Sequence, residues 1–409
     1  MITIQQQPGL WSPIYNPMVF ILDSTNTGQS NFKYLVDIYV SGQADYVRLA
    51  IDADPTYAQG FADIHRIVES YVTSNPAHKT LNGFQIATNS MIAYEVKFGE
   101  QYGPASGVTD YPMLTVTGTK YAFNAAYTPH DWLSFSGASI AVETTNTLLT
   151  IQPDAKLSTF NLTEDLFNHY ITNTSGSIYF AEIKTYDSAG VLIQTAQIEN
   201  PYQAVASYSH RRMMFYSGAR ALNAATLYSG TQPLITSSVY SYVVKFTTFA
   251  GGLTARGSTV TRNDNCNAGR TPLTLHWKNR LGGFDSFQFV MINRYKTETK
   301  KSTYERKLGA MGQNSWAYNH YDSGKIVMDT KNQARYELQS DWISLADQEF
   351  LMELIESPEV YFDDGTNFFS VIVTSPTVAE LRQASYGDVE FNTLKVTIEF
   401  AVDYWRQRG

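Results

Sequence analysis

Cysteine is all but missing from this chain of 409 residues: Cys266 is the only one, which excludes an intramolecular disulfide framework and a structural zinc site built from several thiolates. Charge is scarce too, at 17% against the roughly 25% typical of soluble domains, so there is little Glu, Lys and Arg for long surface helices. A basic excess is also lacking. The 30 Lys and Arg stand against 38 Asp and Glu, a net charge of -8, which argues against nucleic acid as the main partner. Apolar runs are short, Met18 to Leu22 being typical, and none approaches the roughly 20 residues that cross a bilayer, so no membrane insertion is expected. Met1 to Pro17 has no basic start, apolar core and small-residue cleavage site, so no secretory leader is expected. No phosphate-binding glycine loop and no Gly-x-Ser-x-Gly elbow occurs.

Aromatic residues are what the chain has in quantity: 28 Tyr, 22 Phe and 6 Trp, or 14%. With charge so low, Ser, Thr, Asn, Gln and Tyr must cover much of the surface, which suits antiparallel sheets and contact faces. The length suggests two or three domains at roughly 150 residues each. The expected fold is mainly β with a few short helices, a β-rich α+β chain of sandwich or barrel modules. Its segments are 1–110, with one packed helix; 111–231, holding a hairpin; and 232–409, again with one packed helix.

Period-two alternation marks the strands. Phe32, Tyr34, Val36, Ile38 and Val40 share one face, and Leu394, Val396, Ile398 and Phe400 alternate with Lys395, Thr397 and Glu399. Ser177–Tyr186 and Val191–Ile198 flank the turn Asp187-Ser188-Ala189-Gly190, a hairpin that needs a larger sheet to be stable. Phe61, Ile64, Ile67, Val68, Tyr71 and Val72 recur at helical spacing, which predicts a helix over Phe61–Thr73. Thr163 is positioned to cap another through Tyr170, and Ser340–Ser344 to introduce one over Leu345–Glu356, stopped by Ser357-Pro358.

Candidate chemistry is thin. Cys266 and His276 are a conceivable thiol–imidazole pair, but the Asn- and Gly-rich surroundings of Cys266 suggest a plain loop. The seven histidines are dispersed, and Asp363-Asp364-Gly365-Thr366 lacks the further carboxylates of a calcium loop, reading instead as a hairpin turn. Glu95 and Glu100 have no visible partner acid for glycoside cleavage. Asn161-Leu162-Thr163 and Asn173-Thr174-Ser175 match the glycosylation pattern and, with no secretory leader expected, are read as chance matches. Lys296, Lys300, Lys301, Arg306 and Lys307, interleaved with Tyr295 and Tyr304, form a basic run read as a solvated loop or as an electrostatic contact with an acidic neighbouring subunit. No catalytic set, cofactor site or metal site is expected.

The run Leu273-Thr274-Leu275-His276-Trp277-Lys278-Asn279-Arg280-Leu281-Gly282-Gly283-Phe284-Asp285-Ser286-Phe287-Gln288-Phe289 resembles a strand-turn-strand signature of tail and connector structural proteins of tailed phages that infect Bacteroidota, crAss-like phages included. The opening elements through Phe98-Gly99-Glu100-Gln101-Tyr102, with Asp341-Trp342-Ile343 and Leu354-Ile355-Glu356-Ser357-Pro358 near the end, fit the same pattern. Within the signature, Trp277 and Phe287 suit strand anchors, Gly282 and Gly283 positive φ, and Asn279 and Asp285 hydrogen bonds to the loop. The resemblance implies a virion tail or collar ring component that assembles with itself and with other tail or portal-proximal proteins in the host cytoplasm, with DNA only as passing cargo. A receptor- or glycan-binding tail-tip protein is the alternative, and a glycan-cleaving enzyme with two facing acids the third.

Overall fold

The computed structural model describes residues 2–74, 81–111, 115–129, 147–148, 150, 167–171, 178–203, 212–255, 259–261, 273–291, 293–341, 343–364, 366–374, 384–386, 389–391 and 393–402. The protein is β-rich, with several sheets and few helices. It divides into two compact units, 1–263 with 278–286, and 264–277 with 287–409. Segment 111–231 thus falls in the same unit as 1–110, and the chain first leaves that unit at 264 rather than at 232.

Two large aromatic cores stand out among the described residues of the first unit, beside a smaller cluster of Trp11, Tyr121 and Phe123. In the first, Lys33–Val40 lies between Met91–Tyr102 and Val47–Asp52, and its alternating Tyr34, Val36, Ile38 and Val40 are all buried. A three-stranded sheet of Ile2–Gln6, Val19–Ser24 and Gly60–Asp63 covers them, with Phe20 and Phe98 at 5.2 Å between ring centres. On the opposite face of Lys33–Val40, Asp37 is buried as well. The Arg48 guanidinium grips it through two bonds of 2.7 Å, as a buried carboxylate requires.

The helix expected over Phe61–Thr73 is shorter. Residues Gly60–Asp63 form a strand paired with Val19–Leu22, leaving Phe61 62% exposed, and only His65–Glu69 is helical. Asp63 makes the break, its Oδ1 accepting from the amides of Met18 at 2.9 Å and His65 at 3.2 Å. Pairing with a distant strand outweighs the local helical spacing. Ile64, Val68 and Val72 still reach the core.

The second core joins the sheet Leu192–Glu199, Phe180–Tyr186, Ser241–Thr247 and Leu253–Ala255 to the sheet holding Arg212–Tyr216 and Gly83–Ile86. Phe215 sits 4.7 Å from Phe84 and 5.4 Å from Phe246. The predicted hairpin is present and joins a larger sheet, with Asp187 Oδ1 accepting from Ala189 and Val191 in its turn. Phe167–Ile171 is a strand rather than the end of the helix expected to Tyr170, because it pairs residue for residue with Arg212–Tyr216. A short helix, Ala219–Ala224, stands where none was expected.

The second unit centres on a sheet in the order Leu273–Lys278, Val360–Asp363, Phe368–Val373, Lys395–Phe400, Lys325–Gln339, Asn293–Glu305. The helix Leu345–Glu356 has the bounds the sequence implies. Ser344 Oγ accepts from the Asp347 amide at 3.3 Å and the Asp347 carboxylate from the Ser344 amide at 3.1 Å, a reciprocal cap. Phe350 and Leu354 are buried, and Phe350 lies 5.0 Å from Trp277. Val360–Asp363 pairs with Phe368–Val373, and between them Asp364 Oδ1 accepts from the amides of Thr366 and Asn367 at 2.7 Å. Among the described residues no helix is long and apolar enough to cross a membrane.

Candidate functional site

Lys296, Lys300 and Lys301 of the basic run lie on a strand rather than a loop, and Arg306 and Lys307 follow it without regular structure. Asn293–Glu305 is a strand of 13 residues at the edge of the second unit's sheet, paired throughout with Lys325–Gln339. Its Thr, Ser and Tyr content favours an extended chain, and a loop reading gave the charges too much weight. Only Arg335–Gln339 is flanked on its other side, by Lys395–Glu399. Among the described residues, 325–334 pair with the ribbon partner alone; Asn332 and Ala334 are still buried, so the exposed two-stranded arm is 325–331 and its partner residues, roughly 23 Å at about 3.3 Å per residue.

Some of the ribbon's cations meet carboxylates. Lys296 pairs with Glu337 and pulls that carboxyl below its usual range, Arg335 bonds Glu298 at 2.6 Å, and Lys300 approaches Glu298 at 3.4 Å. The pairing register also sets Lys300 directly opposite Lys331, a like-charge pair that weakens the ribbon on its own. Among the described residues Lys301, Lys307 and Lys331 enter no ion pair.

The tip, residues 306–324, is folded. Ala310–Met311 pairs with Trp316–Ala317, Trp316 Nε1 donates to the Leu308 carbonyl at 3.0 Å, and Arg306 Nε donates to Ser323 O at 3.0 Å. Yet its large apolar side chains point outward: Met311 is 75% exposed, Trp316 51%, Tyr318 54% and Tyr321 82%. Lys307 Nζ lies 3.9 Å from Met311 Sδ among them. A two-stranded ribbon is marginal in water, and clustered apolar exposure marks a contact surface. The sequence reading missed these four residues; the signal was a dense run of aromatics between Tyr295 and Tyr321, punctuated by Gly309 and Gly312.

The signature residues occupy a buried place. Trp277 packs on Phe350, and Phe287 meets Phe289 edge-on at 5.1 Å. Residues 278–286 belong to the first unit. There Asn279 organises the turn, its N–H donating to Gly283 O at 3.0 Å, its Oδ1 accepting from Gly283 N at 2.9 Å and its Nδ2 donating to Asp285 at 2.8 Å. Gly282 takes φ +80, whereas Gly283 does not take a positive φ. Burial pushes the Asp285 carboxyl up to about 7, against hydrogen bonds from Thr150 and Asn279 that lower it.

Arg212, unmarked by the sequence, ties this turn down. Its guanidinium donates to the carbonyls of Ser90 at 3.2 Å, Asn124 at 3.1 Å and Leu281 at 2.8 Å, and lies over the Phe123 ring. Complete burial pulls its pKa down to about 10. Such an arrangement fixes three chain segments to one another and leaves no face for a substrate.

The other candidates serve structure or lie elsewhere. His276 is buried 3.5 Å from Asp363, Glu100 accepts from Ser24 and Asn26 at 2.6 Å each, and Glu95 accepts from Thr119 at 2.8 Å. Cys266, Trp342 and both glycosylation-pattern sites lie outside the described residues. Among the described residues no three His, Cys, Asp or Glu side chains gather as a metal site would need. The ribbon and its tip are therefore the candidate site, an interaction surface. Compared with known proteins, the chain matches no family model and no curated protein.

Proposed function

We propose that this chain is a structural component of a tailed-phage virion, a tail or collar ring subunit whose work is assembly. The observation that carries this reading is the arm, a ribbon of 13 and 15 residues that ends in exposed Met311, Trp316, Tyr318 and Tyr321. An isolated domain gains nothing from holding apolar side chains that far out; a subunit that reaches a neighbour does. The resemblance of the Trp277–Phe287 run to phage tail and connector proteins supports the same reading. Head-to-tail contacts that close on themselves give a ring, through which DNA passes as cargo. Neighbouring tail or portal-proximal proteins would bound the ring on either side, without insertion into a membrane.

Negative-stain microscopy with mass measurement on the purified chain tests this. Closed particles at a whole multiple of 45.9 kDa are expected; a chain that stays monomeric at high concentration overturns it. The exposed Trp316 and Tyr318, 5.3 Å apart, favour a second reading, since paired aromatics stack on sugar rings. Binding to a glycan array by a monomeric chain would establish that tail-tip role instead.

A further inference from the structure

At the base of the ribbon the sheet of the second unit carries a hollow with an excess of positive charge. Antiparallel pairing sets Arg294, Glu337 and Thr397 in one cross-strand row, and Gln339 with Lys395 in the row two residues on, so these five side chains share a face. A hollow of about 320 Å³ lies there and is lined by all five. Leu338 and Val396 close its floor, being buried with their side chains on the opposite face.

The carboxylates of this face are already engaged. Lys296 bonds Glu337 and holds that carboxyl below its usual range, with the charges of Arg294 and Lys395 adding to the pull. Further along the same face Arg335 pairs with both Glu298 and Glu399, and Gln333 also donates to Glu399. Arg294 and Lys395 are exposed, and among the described residues neither side chain enters a hydrogen bond or an ion pair. The Gln339 amide has no partner among them either. Two positive charges and a neutral donor are thus left over around one hollow. Arg294 and Lys395 stand on strands separated by Lys325–Gln339, roughly 10 Å apart at the main chain, a span that their long side chains close onto one group between them. A singly charged group would leave one cation unanswered.

We propose that this hollow binds a doubly charged oxyanion, the phosphate of a small phosphate monoester. Arg294 presents a planar fork to two phosphate oxygens, Lys395 a point charge to a third, and the Gln339 amide a further donor. The hollow has the volume of a small-molecule site and exceeds what a bare phosphate fills. Oxygens of Glu337 and Thr397 on its wall accept from hydroxyl groups of the carrier, which points to a sugar phosphate. The site lies apart from the tip, and its chemistry does not depend on the ring reading.

Calorimetric titration of the whole chain tests this, in low salt and at a pH where a phosphate monoester carries close to two charges. The probes are glucose 6-phosphate, inorganic phosphate and glucose. Glucose 6-phosphate is expected to bind with a Kd of about 1 mM or tighter, inorganic phosphate more weakly, and glucose not detectably. R294Q and K395Q should each weaken glucose 6-phosphate by about tenfold or more, while K395R, which keeps the charge, restores most of the binding. K301Q removes a cation from the opposite face of the same strand and should change the Kd by no more than about twofold. Because Arg294, Lys395 and Lys301 are all exposed, the variants should melt with the parent, so that weaker binding reports the lost contact. Absence of binding by both phosphates overturns the site. So does binding that R294Q and K395Q leave intact, or that K301Q weakens equally, since a diffuse basic surface would then account for it. Particle mass decides the ring reading separately, and none of these results alters it.

Discussion

Gly282 lies against the main chain of Asn124 so closely that a Cβ there would stand 1.4 Å from the Asn124 carbonyl oxygen. Its φ of +80 adds a second reason for glycine. Gly190 makes a control, since its φ of +78 is nearly the same but nothing lies within 4 Å of a Cβ built on it. Gly190→Ala should therefore cost about 1 kcal/mol, the left-handed penalty alone, and Gly282→Ala about 3 kcal/mol or more. Chemical denaturation of both variants measures the difference; equal costs would mean that the turn moves freely away from Asn124.

Arg212→Met keeps much of the side-chain volume and removes the donors to Ser90, Asn124 and Leu281. Three carbonyls in a buried setting then lose a charged partner. The expected destabilisation is about 3 kcal/mol, with Arg212→Lys only partly better because an ammonium cannot fork to three acceptors in the guanidinium plane. Denaturant midpoints of the two variants check the order.

Asp285 gives the turn a pH dependence. Its carboxyl titrates at about 7 in the folded chain and near 3.9 when unfolded, so between those values the native state holds a proton that the unfolded state has released. Stability therefore falls as pH rises through that window, by an amount on the order of 4 kcal/mol, and levels off above it. Asp285→Asn keeps an oxygen to accept from Asn279 Nδ2 and cannot ionise. The variant should be the more stable of the two at pH 8, with a flatter profile between pH 5 and pH 8. Parallel urea-midpoint profiles for both proteins would show that Asp285 does not titrate in this range.

Much of the fold was legible because local and tertiary demands agree. Phe32 to Val40 alternates on a strand with one face in the core, and Ser344 with Asp347 caps a helix whose Phe350 and Leu354 also point inward. Reading failed where a distant partner decides. Phe61 fits a helical stripe, but Val19–Leu22 claims its backbone for a sheet, and nothing near Phe61 in sequence announces that pairing. Arg212 looks ordinary in sequence; its importance comes from Ser90, Asn124 and Leu281, which are brought to it by three different segments. The candidate site was half visible. The cations from Lys296 to Lys307 stood out, but their strand geometry, and the outward Trp316 and Tyr321, depend on a hairpin that pairs residues up to 45 positions apart in Asn293–Leu338.

The tip offers a separation of assembly from folding. Met311 and Tyr321 are 75% and 82% exposed, so the single chain has almost no burial to lose when they are shortened. Met311→Ser with Tyr321→Ser should leave the melting transition within the shift that about 0.5 kcal/mol produces, as for surface changes elsewhere. If a neighbouring copy buries them, each withdraws roughly 1.5–3 kcal/mol of contact energy, enough together to weaken self-association by a hundredfold or more. A harsher version replaces residues 306–324 with Asn-Gly. Glu305 and Lys325 are paired across the ribbon, and a two-residue turn of that composition closes such a pair without splaying the strands. The shortened chain should melt like the parent and sediment as a monomer at concentrations where the parent assembles. Unchanged assembly by the shortened chain would place the subunit contact somewhere other than the tip, and a large drop in its melting temperature would show that the tip packs on its own chain.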